Sequence, residues 1–320
     1  MYSRNPLSVP DAAPARGHWT VALRVLAVAT GMVVVGAMAP ATRGYAAPGS
    51  AEPIRAAFYY PWYPETEAWA TKYTPTLSKY DSSNPAVLAK HVSQAKYAGL
   101  NAFISSYWGK GTRTANRLPA LLKAAGAQNF QVAPYYEPAS LSPAPTAAAM
   151  KADFDALATL STDKAWLRVD GKPVLFVYNT GTEASCAGIA RLAKASAGRF
   201  YLNAKVFFGY RNCSTRPNSW HQYGPAVAYD QQGSYASAVS PGFFKFSEKD
   251  PRLPRNLARF KADLKRQVAS GARWQLLTTF NEWGEGSSVE PATQWKSGSG
   301  AGIYLDAMRA AYTGQAPTPT

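Results

Sequence analysis

Two glutamates three residues apart, Glu282 and Glu285, stand in the segment Phe280-Asn281-Glu282-Trp283-Gly284-Glu285-Gly286. The segment follows an apolar, β-branched run, Leu276-Leu277-Thr278-Thr279, that reads as a buried strand. A carboxylate at the end of a buried strand costs free energy unless it is paired or used. Two of them beside Phe280 and Trp283 make a poor core and a good acid–base pair. Apolar neighbours raise one carboxyl's pKa, and the second negative charge drives the two values apart. One group can then give a proton while the other takes one or attacks.

Such a pair needs a scaffold that delivers it to a cleft. Strands are predicted over 54–60, 101–108, 130–136, 172–178, 200–208 and 226–229, a seventh within 236–246, and the eighth in the run that carries the glutamates. Between them, helices are predicted over 85–98, 115–127, 147–160, 186–197 and 257–270, with a last one over 303–312. Asn84 reads as an N-cap and Gly99 as a stop for the first helix. Strands alternating with helices build a parallel sheet, and eight of them in this length predict a single α/β domain, a (β/α)8 TIM barrel over 48–314. A doubly wound open sheet would need a glycine-rich turn after its first strand, where this chain has Tyr60-Pro61-Trp62-Tyr63.

In a barrel the residues just past each strand gather on one face. Here they are Tyr59, Tyr60, Trp62 and Tyr63; Ser106, Tyr107 and Trp108; Tyr135, Tyr136 and Glu137; Tyr178 and Asn179; Tyr229 and Asp230; then Asn281, Glu282, Trp283 and Glu285. Aromatic faces with carboxylates and amides are the materials of a sugar cleft, because flat rings cover the apolar faces of pyranoses and the polar groups take their hydroxyls. Glycoside cleavage is therefore the expected chemistry, with a carbohydrate as partner. His91 falls in a predicted helix and reads as a surface or satisfied histidine; His221 follows Trp220 in an irregular segment that could border the cleft. Neither a metal-ligand spacing nor a Ser/His/Asp elbow is present, so no metal and no cofactor is expected.

The chain has 320 residues, 47% of them hydrophobic, which supports one sizeable core. Arg4, Arg16 and Arg24 precede or enter an apolar run over 25–39, followed by small residues around Gly44 to Ala47. That layout predicts a secretory signal peptide over 1–47, cut near Ala46 or Ala47, and a secreted or cell-wall-associated product with no stable membrane insertion. An uncleaved anchor is the alternative, though the apolar run is short for a spanning helix. The net charge of +15 falls little when the leader goes. The basic residues are scattered and no nucleic-acid motif accompanies them, so attraction to anionic wall material explains the charge better than nucleic-acid binding. Cys186 and Cys213 could pair in an exported protein or remain free thiols. The tail over 315–320 is rich in Pro and Thr and is expected to be disordered.

Three segments carry a resemblance: Tyr59-Tyr60-Pro61-Trp62-Tyr63, Tyr135-Tyr136-Glu137-Pro138, and Phe280-Asn281-Glu282-Trp283-Gly284-Glu285-Gly286-Ser287-Ser288-Val289-Glu290-Pro291. In this order they resemble glycoside hydrolase family 99, the endo-α-mannosidase family with its bacterial relatives. The resemblance implies a barrel, retention of anomeric configuration, and a mechanism without a covalent glycosyl-enzyme. It implies that Glu282 deprotonates the sugar's own 2-hydroxyl, which attacks C1, and that Glu285 acts as acid and then as base. It implies that Glu137 binds substrate, that Tyr60, Trp62, Tyr136 and Trp283 shape the sugar subsites, and that Glu290 braces the loop. The strand-end reading adds Trp108, Tyr178, Tyr229 and Asn281 to the substrate-binding set. The chain is short for the family, and the same signature occurs in polysaccharide-assembly proteins with proposed glycosyltransferase roles. The expectation is thus an exported retaining hydrolase acting within an α-mannose-containing or related polysaccharide. The alternatives are a non-catalytic glycan-binding barrel and a transferase.

Overall fold

A computed structural model describes residues 52–64, 69–137, 145–179 and 183–320. The predicted leader over 1–47 lies outside the described residues. From the N-terminus the elements are β1 (Ile54–Tyr59), α1 (Pro85–Tyr97), β2 (Ala102–Tyr107), α2 (Arg113–Gly126), β3 (Gln131–Tyr136) and α3 (Ala147–Leu160). The hairpin strand β4 (Arg168–Val169) precedes β5 (Lys172–Val177), and α4 (Cys186–Ser196) leads to β6 (Tyr201–Lys205). Then come β7 (Ser219–His221), β8 (Tyr229–Gln232), β9 (Ala236–Val239), α5 (Leu257–Ala269), β10 (Trp274–Leu277) and α6 (Ile303–Thr313).

Eight strands run parallel in the order β7-β6-β5-β3-β2-β1-β10-β9, and β8 lies antiparallel on the outer edge of β9. The first and last strands are neighbours, with Ile54 in register with Trp274 and Ala57 with Leu277. The result is a nearly closed (β/α)8 barrel; β7 faces β9 at the one seam without ladder pairing among the described residues.

The helices start where short polar side chains can satisfy orphan backbone donors. The side chains of Asn84, Thr112, Thr146, Ser185 and Asn256 each accept a backbone N–H of the first turn of α1 to α5. Strand alternation then sorts the core into two layers. Ala56, Phe58, Ile104, Ala133, Tyr135, Phe176, Trp274 and Leu276 fill the barrel interior. Ala57, Tyr59, Phe103, Val132, Tyr136, Leu175 and Leu277 face outward and pack on the helices.

One strand prediction needs correction. The sixth barrel strand is Ser219–His221, not 226–229, and Tyr229 opens the antiparallel β8 instead. Ser-Trp-His lacks the apolar signature of a strand, whereas Ala226-Val227-Ala228-Tyr229 has it; register with β6, not composition, makes β7 a strand. Only six α-helices serve the eight strands among the described residues. A 3-10 turn at Tyr210–Asn212 follows β6, and the antiparallel β8 follows β7. The cysteines form a disulfide, Cys186–Cys213, which ties the start of α4 to the connection beyond β6. Residues 315–320 have no helix or strand; Thr320 N–H donates to Ser299 O at 2.9 Å, and Arg309 Nε to Ala316 O at 3.0 Å.

Candidate active site

The glutamate loop is built on hydrogen bonds from distant parts of the chain. The Asn281 side-chain amide pairs with both backbone groups of Tyr60: Tyr60 N–H donates to Oδ1 at 2.8 Å, and Nδ2 donates to Tyr60 O at 3.0 Å. Asn281 thus extends the β1–β10 pairing beyond the end of the ladder with a side chain in place of a peptide. The Tyr63 hydroxyl donates to Asn281 O at 2.8 Å and accepts from Trp283 N–H at 3.2 Å. Glu282 N–H donates to Thr279 Oγ1 at 3.0 Å. Gly286 turns the chain with φ of +62°, and its backbone comes so close to Phe244 that an added Cβ would stand 2.5 Å from the Phe244 carbonyl oxygen. Only glycine meets both conditions there. Arg255 reaches in from the other side, donating through Nη2 to Gly286 O and Ser288 O at 2.9 and 2.7 Å. Its guanidinium lies 4.0 Å from the centre of the Trp295 ring, with Tyr73 and Tyr304 around it.

Behind the loop lies a buried polar network. Glu290 accepts from the Tyr80 hydroxyl at 2.7 Å and from Trp283 Nε1 at 3.0 Å, and it meets His91 Nε2 at 3.1 Å. His91 Nδ1 meets the Tyr59 hydroxyl at 2.9 Å. With the proton on Nε2, His91 accepts from Tyr59 and donates to Glu290, so each member is satisfied. His91 is therefore the satisfied histidine of the two expectations, fully buried and not at the surface.

In front lies a cleft of about 340 Å³ lined by Tyr60, Trp62, Tyr135, Glu137, Tyr178, Tyr223, Lys245, Glu282, Gly284 and Glu285. Tyr60 and Trp62 form one wall, ring centres 4.4 Å apart. Tyr135, Tyr178 and Tyr223 form another, with centres 5.5 to 5.9 Å apart. The Tyr60 hydroxyl donates to the Tyr223 hydroxyl at 2.6 Å and so joins the two walls. The two glutamates meet through the backbone, Glu285 N–H donating to Glu282 Oε1 at 3.3 Å. Burial, and then the charge of Glu285, pushes the Glu282 carboxyl well above the ordinary carboxylate range. Burial also raises Glu285, but Lys245, with Nζ 3.4 Å from Glu285 Oε1, opposes the shift. Burial and the nearby charges of Glu285 and Glu282 hold the Tyr223 hydroxyl protonated far above the usual tyrosine range.

Of the residues singled out in the sequence, Glu282, Glu285, Glu137, Tyr60, Trp62 and Tyr178 come together in this cleft. The others lie elsewhere. Trp108 stands behind Trp62, ring centres 5.6 Å apart. Tyr136 points outward from the barrel and donates its hydroxyl to Asp153 at 2.8 Å. Tyr229 sits on β8 beneath the Arg266 guanidinium, 3.9 Å from its ring centre. Asn281 is fully buried as the Tyr60 clamp, and Trp283 is fully buried against Trp295 with centres 5.9 Å apart and planes at 11°. His221 does not border the cleft but lies beneath it, its Nε2 3.2 Å from the Tyr135 hydroxyl that does. Sequence reasoning placed Tyr135 at a strand end but chose Tyr136 for the substrate set, and it passed over Tyr223 and Lys245. Strand parity could have favoured Tyr135 over Tyr136, because Tyr135 shares its face with Glu137; nothing local marks Tyr223 or Lys245. Among the described residues no group of three His, Cys, Asp or Glu side chains is placed to hold a metal ion.

Known proteins share this fold. The sequence profile of glycosyl hydrolase family 99 matches residues 52–207, a span that carries Tyr60, Trp62 and Glu137 and ends before the glutamate loop. A solved GH99 endo-alpha-mannosidase from Bacteroides thetaiotaomicron superposes with a TM-score of 0.66 at 19% identity, over 81% of this chain and 95% of that one. A structure described as a glycoside hydrolase-like protein gives a TM-score of 0.63 at 15% identity, over 81% and 94%. A search of curated sequences gave no significant match. The profile match and the barrel together make this a TIM-barrel glycoside hydrolase. Within that class, the chain is similar in sequence over 52–207 to glycosyl hydrolase family 99, and its fold is that of a solved member of the family.

Proposed function

We propose that this glycoside hydrolase is exported and cleaves within an α-mannose-containing or related polysaccharide, with retention, by a two-glutamate mechanism in which the sugar's own 2-hydroxyl attacks. The observation that carries the reading is the Glu282–Glu285 pair at the foot of a cleft walled by Tyr60, Trp62 and Tyr178. Glu285 gives its proton to the departing glycosidic oxygen as that bond breaks, and Glu282 takes the proton of the 2-hydroxyl as its oxygen closes on C1. Water then opens the anhydro sugar, giving its proton to Glu285 while Glu282 returns a proton to O2, so both carboxyls end as they began. In the free protein Lys245 favours the charged form of Glu285 while burial favours the neutral form of Glu282. Burial of Glu282 and the charge of Lys245 beside Glu285 thus favour a proton on Glu282 over one on Glu285 in the free protein. A leaving-group oxygen that displaces Lys245 from Glu285 draws the proton across, which couples acid catalysis to occupancy of the cleft.

The likeness in fold to a solved endo-alpha-mannosidase supports the mannose reading. The test is release of oligosaccharides from a panel of α-mannans by wild type, Glu285→Gln and Glu282→Gln, with the anomer formed first read by NMR. Losses of about 100- to 10,000-fold are expected for each variant. Equal product from wild type and Glu285→Gln across the panel would remove the catalytic assignment. Glycan binding without product, unchanged in Glu282→Gln, would make the barrel a binding module. N-terminal sequencing of protein recovered outside the cell tests export, with a start just past Ala46 or Ala47 expected.

A further inference from the structure

Strand β6 presents alternate residues to the barrel axis. Tyr201 packs inside on Trp274, and Asn203 meets His221 Nδ1 at 3.1 Å. Lys205, two residues on, faces the same way at the C-terminal mouth, where the cleft opens. Its Nζ lies 5.2 Å from the centre of the Tyr178 ring, one of the rings that line the cleft. Asn179 Nδ2 donates to Lys205 O at 3.1 Å and fixes the backbone at that point. Lys205 is partly buried, and that burial lowers its pKa. Among the described residues no carboxylate pairs with it; Lys245 is the lysine that meets the acid pair, through Glu285. Its inward neighbour His221 is held neutral by burial and by the charge of Lys205 itself. The mouth of the barrel thus carries a partly desolvated ammonium with an aromatic face beneath it and no counter-ion among the described residues.

We propose that Lys205 receives an anionic substituent of the glycan, a uronic acid carboxylate or a phosphate or sulfate ester, on a sugar bound at Tyr178. This rests on the sugar-cleft reading above and adds a charge to it. A partly desolvated ammonium gains most from a charged acceptor, which forms shorter and stronger hydrogen bonds than a neutral hydroxyl. The adjoining ring supplies the apolar face that a charged pyranose also needs. The basic balance of the chain, +15 overall, would draw a polyanion toward the barrel from a distance.

The test compares methyl α-mannopyranoside with its 6-carboxylate (the methyl mannosiduronate), mannose 6-phosphate and mannose 6-sulfate, titrated calorimetrically into the intact protein at low salt. At least one anionic probe is expected to bind about tenfold more tightly than the neutral one, the size of a single charge-assisted contact. The advantage should vanish in Lys205→Met and survive in Lys205→Arg, with both variants melting near wild type. A response to the carboxylate alone identifies a uronic acid; a response to phosphate or sulfate identifies an ester. Equal binding of neutral and anionic probes, or a preference that persists in Lys205→Met, overturns the proposal. Cleavage of neutral α-mannan that disappears in Glu285→Gln, without any anion preference, overturns it while leaving the hydrolase mechanism standing. An anion preference lost in Lys205→Met, without Glu285-dependent cleavage, upholds it and removes the mechanism.

Discussion

The buried network behind the catalytic loop can be tested by removing its hub. Glu290 takes hydrogen bonds from the Tyr80 hydroxyl and Trp283 Nε1 and meets His91 Nε2, at 2.7, 3.0 and 3.1 Å, and every member is buried. Glu290→Leu keeps most of the volume and removes both acceptor oxygens, leaving three donors in the interior without a partner. Each orphaned group costs about 1–3 kcal/mol. Because they share one site and relax together, the total expected is about 3–5 kcal/mol, the range for breaking a buried pair from one side. In a domain of this size that lowers the melting midpoint by roughly 10 °C. Glu290→Gln should cost only about 1–2 kcal/mol. Its carbonyl still serves Tyr80 and Trp283, and its amide can donate to His91 if the imidazole proton moves to Nδ1 and the Tyr59 hydroxyl turns from donor to acceptor. Urea unfolding followed by tryptophan fluorescence reads both variants, because Trp283 and Trp295 lie stacked at the network's edge. A Leu variant within about 1 kcal/mol of wild type, or a Gln variant as damaged as the Leu variant, would show that these hydrogen bonds do not hold the loop.

Four further outcomes are expected, in addition to the losses at the acid pair. Cys186→Ser opens a bridge spanning 27 residues and should cost about 3.5 kcal/mol by loop-closure entropy, read as a lower urea midpoint that reducing agent reproduces in wild type. Gly286→Ala forces a Cβ to within 2.5 Å of the Phe244 carbonyl at φ +62°, so it should displace Glu285 and lower kcat by about 100-fold with little change in overall helicity by circular dichroism. Lys245→Met removes the influence that lowers the Glu285 carboxyl, so that pKa rises and the protonated form persists to higher pH. The alkaline limb of the kcat/KM profile should then move upward, and a static limb or a downward shift would contradict Glu285 as the acid. Arg255→Leu deprives Gly286 O and Ser288 O of their donor and empties the aromatic cage, so it should destabilise by about 2–4 kcal/mol in urea titration.

Much of the barrel was legible because its signals are local. Helix α3 begins and ends as predicted, since Thr146 caps it and its apolar positions repeat on one face. The strands that were clear are those with long apolar or aromatic runs, β1, β2, β3 and β5. β7 was not legible, because Ser-Trp-His becomes a strand only when β6 offers it a ladder. The same division holds at the site. Glu282, Glu285 and Glu137 declare themselves by their place at strand ends. Which tyrosine of a consecutive pair faces the cleft depends on parity within the closed sheet: Tyr60 enters and Tyr59 turns to His91, while Tyr135 enters and Tyr136 turns to Asp153. Tyr223 and Lys245 come from irregular connections whose path is set by the barrel around them. The cysteines were a symmetrical choice in sequence and a bond in the fold, because the start of α4 and the turn at Tyr210–Asn212 are brought side by side.

The Asn281–Tyr60 clamp joins residues 221 positions apart, and the Tyr80–Glu290 contact joins residues 210 apart. During synthesis, the first strand and its tyrosines therefore leave the ribosome long before the loop that completes the site. A nascent chain halted before Trp274 has an exposed edge on β1 and no organised acid pair. Activity should accordingly appear in one step, when the last strand docks on the first, and a fragment lacking that strand should have none to lose. Such long-range closure also implies slow folding relative to helical proteins of equal length.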